Sequence, residues 1–156
     1  MSRKQLTLFD NGRLSLSDAI DYTILSIMAY AANHRHWSIS FSGGKDSSAT
    51  LAIVLYLIEN GQIPKPDTLT VLYADTGLEL PPLHFSALKI LAEVERRGYR
   101  VRIARPKLDH RYFVYMFGRG VPPPSNVFRW CTGALKIKPM MEALKETRKE
   151  TGADLS

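Results

Sequence analysis

The chain has 156 residues, a formal net charge of +6 at pH 7 and a single cysteine. That length fits one domain with a real core, and one cysteine excludes an internal disulfide framework and fits a reducing compartment. No run of eighteen apolar residues and no signal-peptide core is visible, so the expectation is a soluble, cytoplasmic protein with no membrane partner.

Residues 1–14 read as a flexible arm and residues 15–156 as one α/β domain. From Ser17 to about Asn33, Ile20, Ile24, Ile27, Met28 and Ala31 recur at helical spacing, behind a candidate capping box, Ser15-x-x-Asp18. A strand follows over about 37–41, then the loop Ser42-Gly43-Gly44-Lys45-Asp46-Ser47, then an apolar helix from Ser47 to Asn60 closed by Gly61. A second strand covers roughly 68–74. Pro81-Pro82 opens a helix marked by Leu83, Ala87, Ile90, Leu91 and Val94 and closed by Gly98. The third strand runs from Tyr99 to Ala104, Asp109 to Phe117 reads as a short helix, and Gly118 to Ser125 is a Gly/Pro-rich loop. A last helix takes Pro139 in its first turn and ends near Gly152.

Strands alternating with helices predict a parallel sheet with flanking helices. Ligands of such sheets bind beyond the carboxyl ends of the strands. The glycine loop after the first strand and Asp75 after the second therefore meet on one edge. Three strands fall short of the five or so in a mean sheet, and the chain stops after a helix. The expectation is a sheet incomplete at its C-terminal side, in the N-terminal part of a longer enzyme.

The glycine loop carries the strongest chemical signal. A glycine pair at a strand-to-helix turn lets backbone N–H groups converge on an anion, and the helix adds the positive end of its dipole. Lys45 brings a full charge, and Ser42, Ser47 and Ser48 bring hydroxyls. The pattern is a polyphosphate cradle, but not a Walker A loop, because Asp46 follows Lys45 and Ser40 stands where the first glycine belongs.

This string resembles the PP-loop, S-G-G-x-D-S, of the ATP pyrophosphatases, which cleave ATP between the α and β phosphates. Asp75-Thr76-Gly77-x-Glu79-x-Pro81 resembles the D-T-G-x-x-x-P segment of the phosphoadenosine phosphosulfate (PAPS) reductase branch. Pro122-Pro123-Pro124-Ser125-x-x-Phe128-Arg129-Trp130-Cys131-Thr132-x-x-Leu135-Lys136-Ile137-Lys138-Pro139 is similar to the DndC-like proteins of DNA phosphorothioation. The resemblance covers about Trp37 to Pro139 and implies an adenine nucleotide alpha hydrolase-like fold.

On that resemblance, Ser42, Gly43, Gly44, Lys45, Asp46, Ser47, Ser48, Tyr73, Asp75 and Thr76 bind ATP, with the backbone at 72–74 meeting the adenine edge. Lys45 neutralises the leaving pyrophosphate. Asp46 and Asp75 are candidate Mg2+ ligands, although Asp46 also reads as a first-turn acid complementing the helix dipole, and Asp75 as a turn residue. Arg129, Lys136 and Lys138 form a candidate anion site for substrate phosphate or sulfate, or ordinary surface charges before a helix. Cys131 reads in three ways: one ligand of a 4Fe-4S cluster whose other cysteines lie outside this chain, a sulfur carrier, or a small buried hydrophobe. Trp130 replaces the second cysteine of cluster-bearing sulfonucleotide reductases, and Gly133 stands where an acidic residue is expected.

The implied activity is ATP-dependent adenylylation of an acceptor, with release of pyrophosphate, so that sulfur replaces the activated oxygen. DNA is the implied acceptor, and a cysteine desulfurase the implied sulfur donor. The alternatives are a PAPS- or APS-reductase-type enzyme and a non-catalytic nucleotide- or DNA-binding module. Between Arg96 and Lys138 eleven Lys/Arg face one acid, Asp109. This bias fits an anionic partner or a solvated basic face. The four histidines show no ligand spacing, so no zinc site is expected. Gln5-Leu6-Thr7-Leu8-Phe9 resembles the pentapeptide that docks on the bacterial sliding clamp, and reads alternatively as a strand or packing arm.

Overall fold

A computed structural model describes residues 15–31 and 33–152. The N-terminal arm, with its Gln5–Phe9 string, lies outside the described residues. Helix α1 (Leu16–Ala31) starts at the expected capping box. Ser15 Oγ accepts from the Asp18 N–H at 3.1 Å, and Asp18 Oδ2 accepts from the Ser15 N–H at 3.4 Å. Ile20, Ile24 and Ile27 pack on the core, whereas Met28, expected on that face, is exposed.

Strands β1 (His36–Phe41), β2 (Thr68–Ala74) and β3 (Arg100–Ala104) form a parallel sheet in the order β1-β2-β3. Between them run α2 (Lys45–Glu59) and α3 (Pro81–Arg96). The α/β architecture expected from the sequence is the one observed. Successive strand residues alternate between faces. Trp37, Ile39 and Phe41, with Leu69, Val71 and Tyr73 and with Val101 and Ile103, pack with α1, α2 and α3 into one cluster. Leu72 and Ala104 point the other way, onto Ala143, Met140 and Leu144 of α4 (Lys138–Thr151). On that second face Ser38 and Ser40 of β1 are exposed.

Register fixes the functional edge. Phe41 pairs with Tyr73, Tyr73 with Ile103, and Ala74 with Ala104. The chain therefore leaves the three strands at Ser42, Asp75 and Arg105 along one line.

Two boundaries differ most from the sequence reading. Helix α2 begins at Lys45 rather than Ser47, so Lys45 and Asp46 belong to its first turn and only Ser42, Gly43 and Gly44 make the turn. The last helical segment starts well before Pro139. The chain is helical from Trp130, with wide π turns over Thr132–Ile137 leading into α4. Proline cannot donate to the preceding turn and its ring crowds the carbonyl four residues back. A widened turn just before Pro139 absorbs that mismatch, and helical periodicity does not reveal such a turn. Asp109 to Phe117 is a 3-10 turn (Leu108–His110) followed by a short helix widened over Val114–Gly118.

Candidate functional site

Gly43 has φ +76°, and a Cβ there would stand 3.0 Å from the Cβ of Ala87 in α3. Both backbone and packing therefore demand glycine. Gly44 caps α2 in extended conformation (φ −81°, ψ 166°) without a side-chain bond to the helix N-terminus. The first N–H groups of α2 are thus left for another acceptor, the condition under which a helix start receives an anion. Lys45 and Asp46 are exposed, and neither has an ion-pair partner among the described residues.

The serines expected to bring hydroxyls to the cradle are engaged within the turn. Ser47 and Ser48 donate to the Gly44 carbonyl at 3.0 and 2.8 Å, and Ser42 Oγ lies 2.9 Å from Ser47 Oγ. First-turn hydroxyls reach back to carbonyls three and four residues earlier. In this structure they brace the turn, taking the Ser42 and Gly44 N–H groups at 3.3 and 3.4 Å, and the donors left open are the first N–H groups of α2.

Beyond β2, Asp75 Oδ2 accepts from Arg105 Nε at 2.8 Å and Oδ1 from the Gly77 N–H at 3.2 Å. Thr76 is buried, and its hydroxyl donates to Glu79 Oε1 at 2.7 Å. The Thr76 and Leu78 N–H groups also donate to the Glu79 carboxylate. Burial pushes the Glu79 carboxyl up, but the Thr76 hydroxyl and the backbone donors outweigh it and hold the group below its ordinary range. Tyr73 is 1% exposed beneath the glycine turn, its hydroxyl 3.4 Å from His84 Nδ1. Burial, then the charges of Glu79 and Asp75, push its phenol up.

Sequence reasoning gave Glu79 no role and dismissed His84 on spacing. The structure brings both to Asp75, one donor atom from each residue lying within 4.8 Å of the others. The available signal was Pro81-Pro82, which starts α3 so soon after β2 that His84, in its first turn, returns to the strand end.

Cys131 is half-buried and lines a cavity of about 390 Å3 with Thr76, Leu78, Glu79, Thr132, Leu135 and Lys136. The third motif thus meets the second. Of the expected anion-site trio, only Lys136 borders this cavity; Arg129 and Lys138 are exposed, and Arg129 Nε donates to the Asn126 carbonyl. A separate cavity of about 190 Å3 is lined by Asp75, Thr76, Gly77, Arg105, Pro106 and Arg111. One cysteine does not supply the roughly four thiolates of an iron–sulfur cluster, so these residues alone do not fit that group.

The basic bias is partly compensated in three dimensions. Arg96, Arg97, Arg102, Arg105, Lys107 and Arg119 each pair with a carboxylate, five of them with acids outside 96–138. Arg100, Arg111, Arg129, Lys136 and Lys138 have no such partner among the described residues. Arg100 lies in β3, and the other four lie in the lobe of residues 105–138, which also exposes Phe113, Phe117, Val127 and Phe128.

Residues 36–153 match the phosphoadenosine phosphosulfate reductase domain. The chain belongs to this family. The match covers all three motifs and agrees with the resemblance to the PAPS reductase branch of the PP-loop enzymes. The chain is also similar to two uncharacterized proteins of Methanocaldococcus jannaschii. It is 30% identical to MJ0066 over 108 residues, 69% of this chain, and 29% identical to MJ0973 over 110 residues, 70% of this chain. The matched stretch spans 19% and 23% of those relatives' lengths. No helix among the described residues is long and apolar enough to cross a membrane.

Proposed function

We propose that this domain binds ATP at the glycine turn and serves an ATP pyrophosphatase that adenylylates an acceptor for sulfur transfer. The observation that carries this reading is the Gly43 turn. It admits only glycine, opens onto the uncapped start of α2 beside exposed Lys45, and shares its sheet edge with Asp75. An acceptor oxygen attacks the α-phosphorus, the α–β bond breaks and pyrophosphate leaves. Negative charge then grows on the leaving group, where Lys45 and the α2 N–H groups are best placed to stabilise it.

Asp46 fits a Mg2+ bound with the nucleotide, being an exposed first-turn carboxylate without an ion pair among the described residues; Asp75, oriented by Arg105 and the Gly77 N–H, is the second candidate. A Mg2+ there supplies charge to the phosphate oxygens. DNA is the acceptor this reading favours, with a cysteine desulfurase delivering sulfur. Support comes from the likeness of the Pro122–Pro139 segment to phosphorothioation proteins and from the basic residues of the lobe that have no carboxylate partner among the described residues. Arg129, Lys136 and Lys138 then contact acceptor phosphate, and Cys131 serves as sulfur carrier or, with cysteines from elsewhere, as cluster ligand.

Pyrophosphate release from ATP in the presence of DNA tests the reading. Lys45→Ala is expected to lower the rate roughly a hundredfold or more, and unchanged turnover would remove Lys45 from the mechanism. The family match favours one second reading, a sulfonucleotide enzyme, in which Arg105 and Arg111 beside Asp75 receive the sulfate or 3′-phosphate. Calorimetry with PAPS and with Mg-ATP separates the two. Binding of DNA without any pyrophosphate release would indicate a non-catalytic module.

A further inference from the structure

We infer that Asp75, Glu79 and His84 form a divalent-cation site selective for a Mn2+- or Zn2+-type ion over Mg2+ and filled without nucleotide. Two carboxylates and an imidazole approach from three pieces of chain: the exit of β2, the residue before the α3 cap, and the first turn of α3. Their donor atoms lie within 4.8 Å of one another. Metal bonds of about 2.0–2.2 Å set neighbouring ligand atoms about 3–4 Å apart, so the triad has to draw together by about an ångström when the ion binds.

Each of the three groups is held by a neighbour outside the triad. Arg105 and the Gly77 N–H hold Asp75, the Thr76 hydroxyl with the Leu78 N–H holds Glu79, and the Tyr73 hydroxyl lies against His84 Nδ1. Such outer contacts orient ligands at metal centres. Charge points the same way. Neither Glu79 nor His84 has an ion-pair partner among the described residues, and Arg105 offsets only one of two neighbouring carboxylates. A divalent ion removes the remaining repulsion between Asp75 and Glu79. The imidazole sets the preference, since Mg2+ favours oxygen ligands and holds its own waters, whereas Zn2+ takes imidazole readily and Mn2+, itself suited to the two carboxylates, gives up water for one nitrogen more easily than Mg2+ does.

The site shares Asp75 with the proposed nucleotide site but does not depend on it, because the test omits nucleotide. Mn2+ is titrated into the full chain and followed by its electron paramagnetic resonance signal, with Mg2+ as competitor. One Mn2+ per chain is expected, resisting a large excess of Mg2+. Glu79→Gln and His84→Gln should each weaken it by at least roughly tenfold, while Asp109→Asn leaves it unchanged. Circular dichroism confirms that each variant is folded, and His84→Ala replaces His84→Gln if that variant is not. Absence of binding, ready displacement by Mg2+, or equal binding by the folded variants overturns the site. Lys45→Ala keeps the Mn2+ affinity even if pyrophosphate release fails.

Discussion

The β/α core up to Ala104 and the lobe of residues 105–138 are built on different principles. The core buries aliphatic side chains between regular elements; Leu57 and Val71 are fully buried. The lobe is held by aromatic contacts and turns. Trp130 stacks on Tyr112 at a centroid distance of 5.6 Å and lies tilted against Tyr115 at 4.6 Å, and its indole N–H donates to the Pro122 carbonyl. Arg119 lies over the Tyr115 ring at 5.2 Å. Meanwhile Phe113 and Phe117 stack in parallel while remaining exposed. The core carries the stability and fixes the glycine turn, whereas the lobe presents charge and aromatic surface to whatever lies outside.

The contrast is broken most strongly by truncation. Leu57→Ala should cost about 2–5 kcal/mol, the range for deleting a fully buried leucine. Phe117→Ala, at a side chain 79% exposed, should stay within about 0.5 kcal/mol. Urea unfolding midpoints measure both. Similar costs would mean that the lobe is packed as tightly as the core and that the division is false.

Glycines sharpen it next. Gly43 and Gly120 both have positive φ, +76° and +66°, but only Gly43 has a neighbour in the way. Gly120→Ala should cost only the left-handed backbone penalty, about 1–2 kcal/mol. Gly43→Ala adds displacement of Ala87 in α3 and should exceed it by about 1–3 kcal/mol, the scale of overpacking. It should also abolish the ATP binding proposed above, since the turn and α3 cannot both keep their places. Equal costs in the two variants would show that α3 yields freely.

These regions also differ in how far their sequence could be read. A continuous strand-like run located β2, which is buried on both faces, and a period-3.6 pattern located α3 at its proline start, because burial on one face of a helix leaves a repeating trace. The glycine turn and Asp75 were legible as motifs, and topology alone put them on one edge. Three things were not legible. The inward-turned serines depend on hydroxyl rotation within one helical turn. The meeting of His84 with Asp75 and Glu79 depends on how abruptly α3 leaves the sheet. The ion pairs from Arg102 to Glu146 and Glu150 join residues more than forty apart, so a charge count along the chain overstated the free basic surface. The lobe left little trace because stacked aromatics and π turns have no simple period.

Glu79 stands at the seam between the two regions, lining the Cys131 cavity while bonded to buried Thr76. Its pKa is lowered in the fold from an ordinary value near 4.5. A carboxyl depressed by folding adds stability that is fully present above its unfolded value and lost as pH falls through the folded one. Between pH 6 and pH 3 the chain should therefore lose stability, and Glu79→Gln should lose less, because an amide does not titrate. The effect is smaller than either substitution series, since burial opposes the hydrogen bonds that cause it. Urea midpoints at the two pH values, for the parent and for Glu79→Gln, give the difference. An identical fall in both would move the acid sensitivity away from the seam, to exposed carboxylates such as Glu93, which Arg96 and Arg97 hold down to about 2. A shallower fall in the variant ties the acid response to the Thr76–Glu79 contact, and so to the place where core and lobe share one cavity.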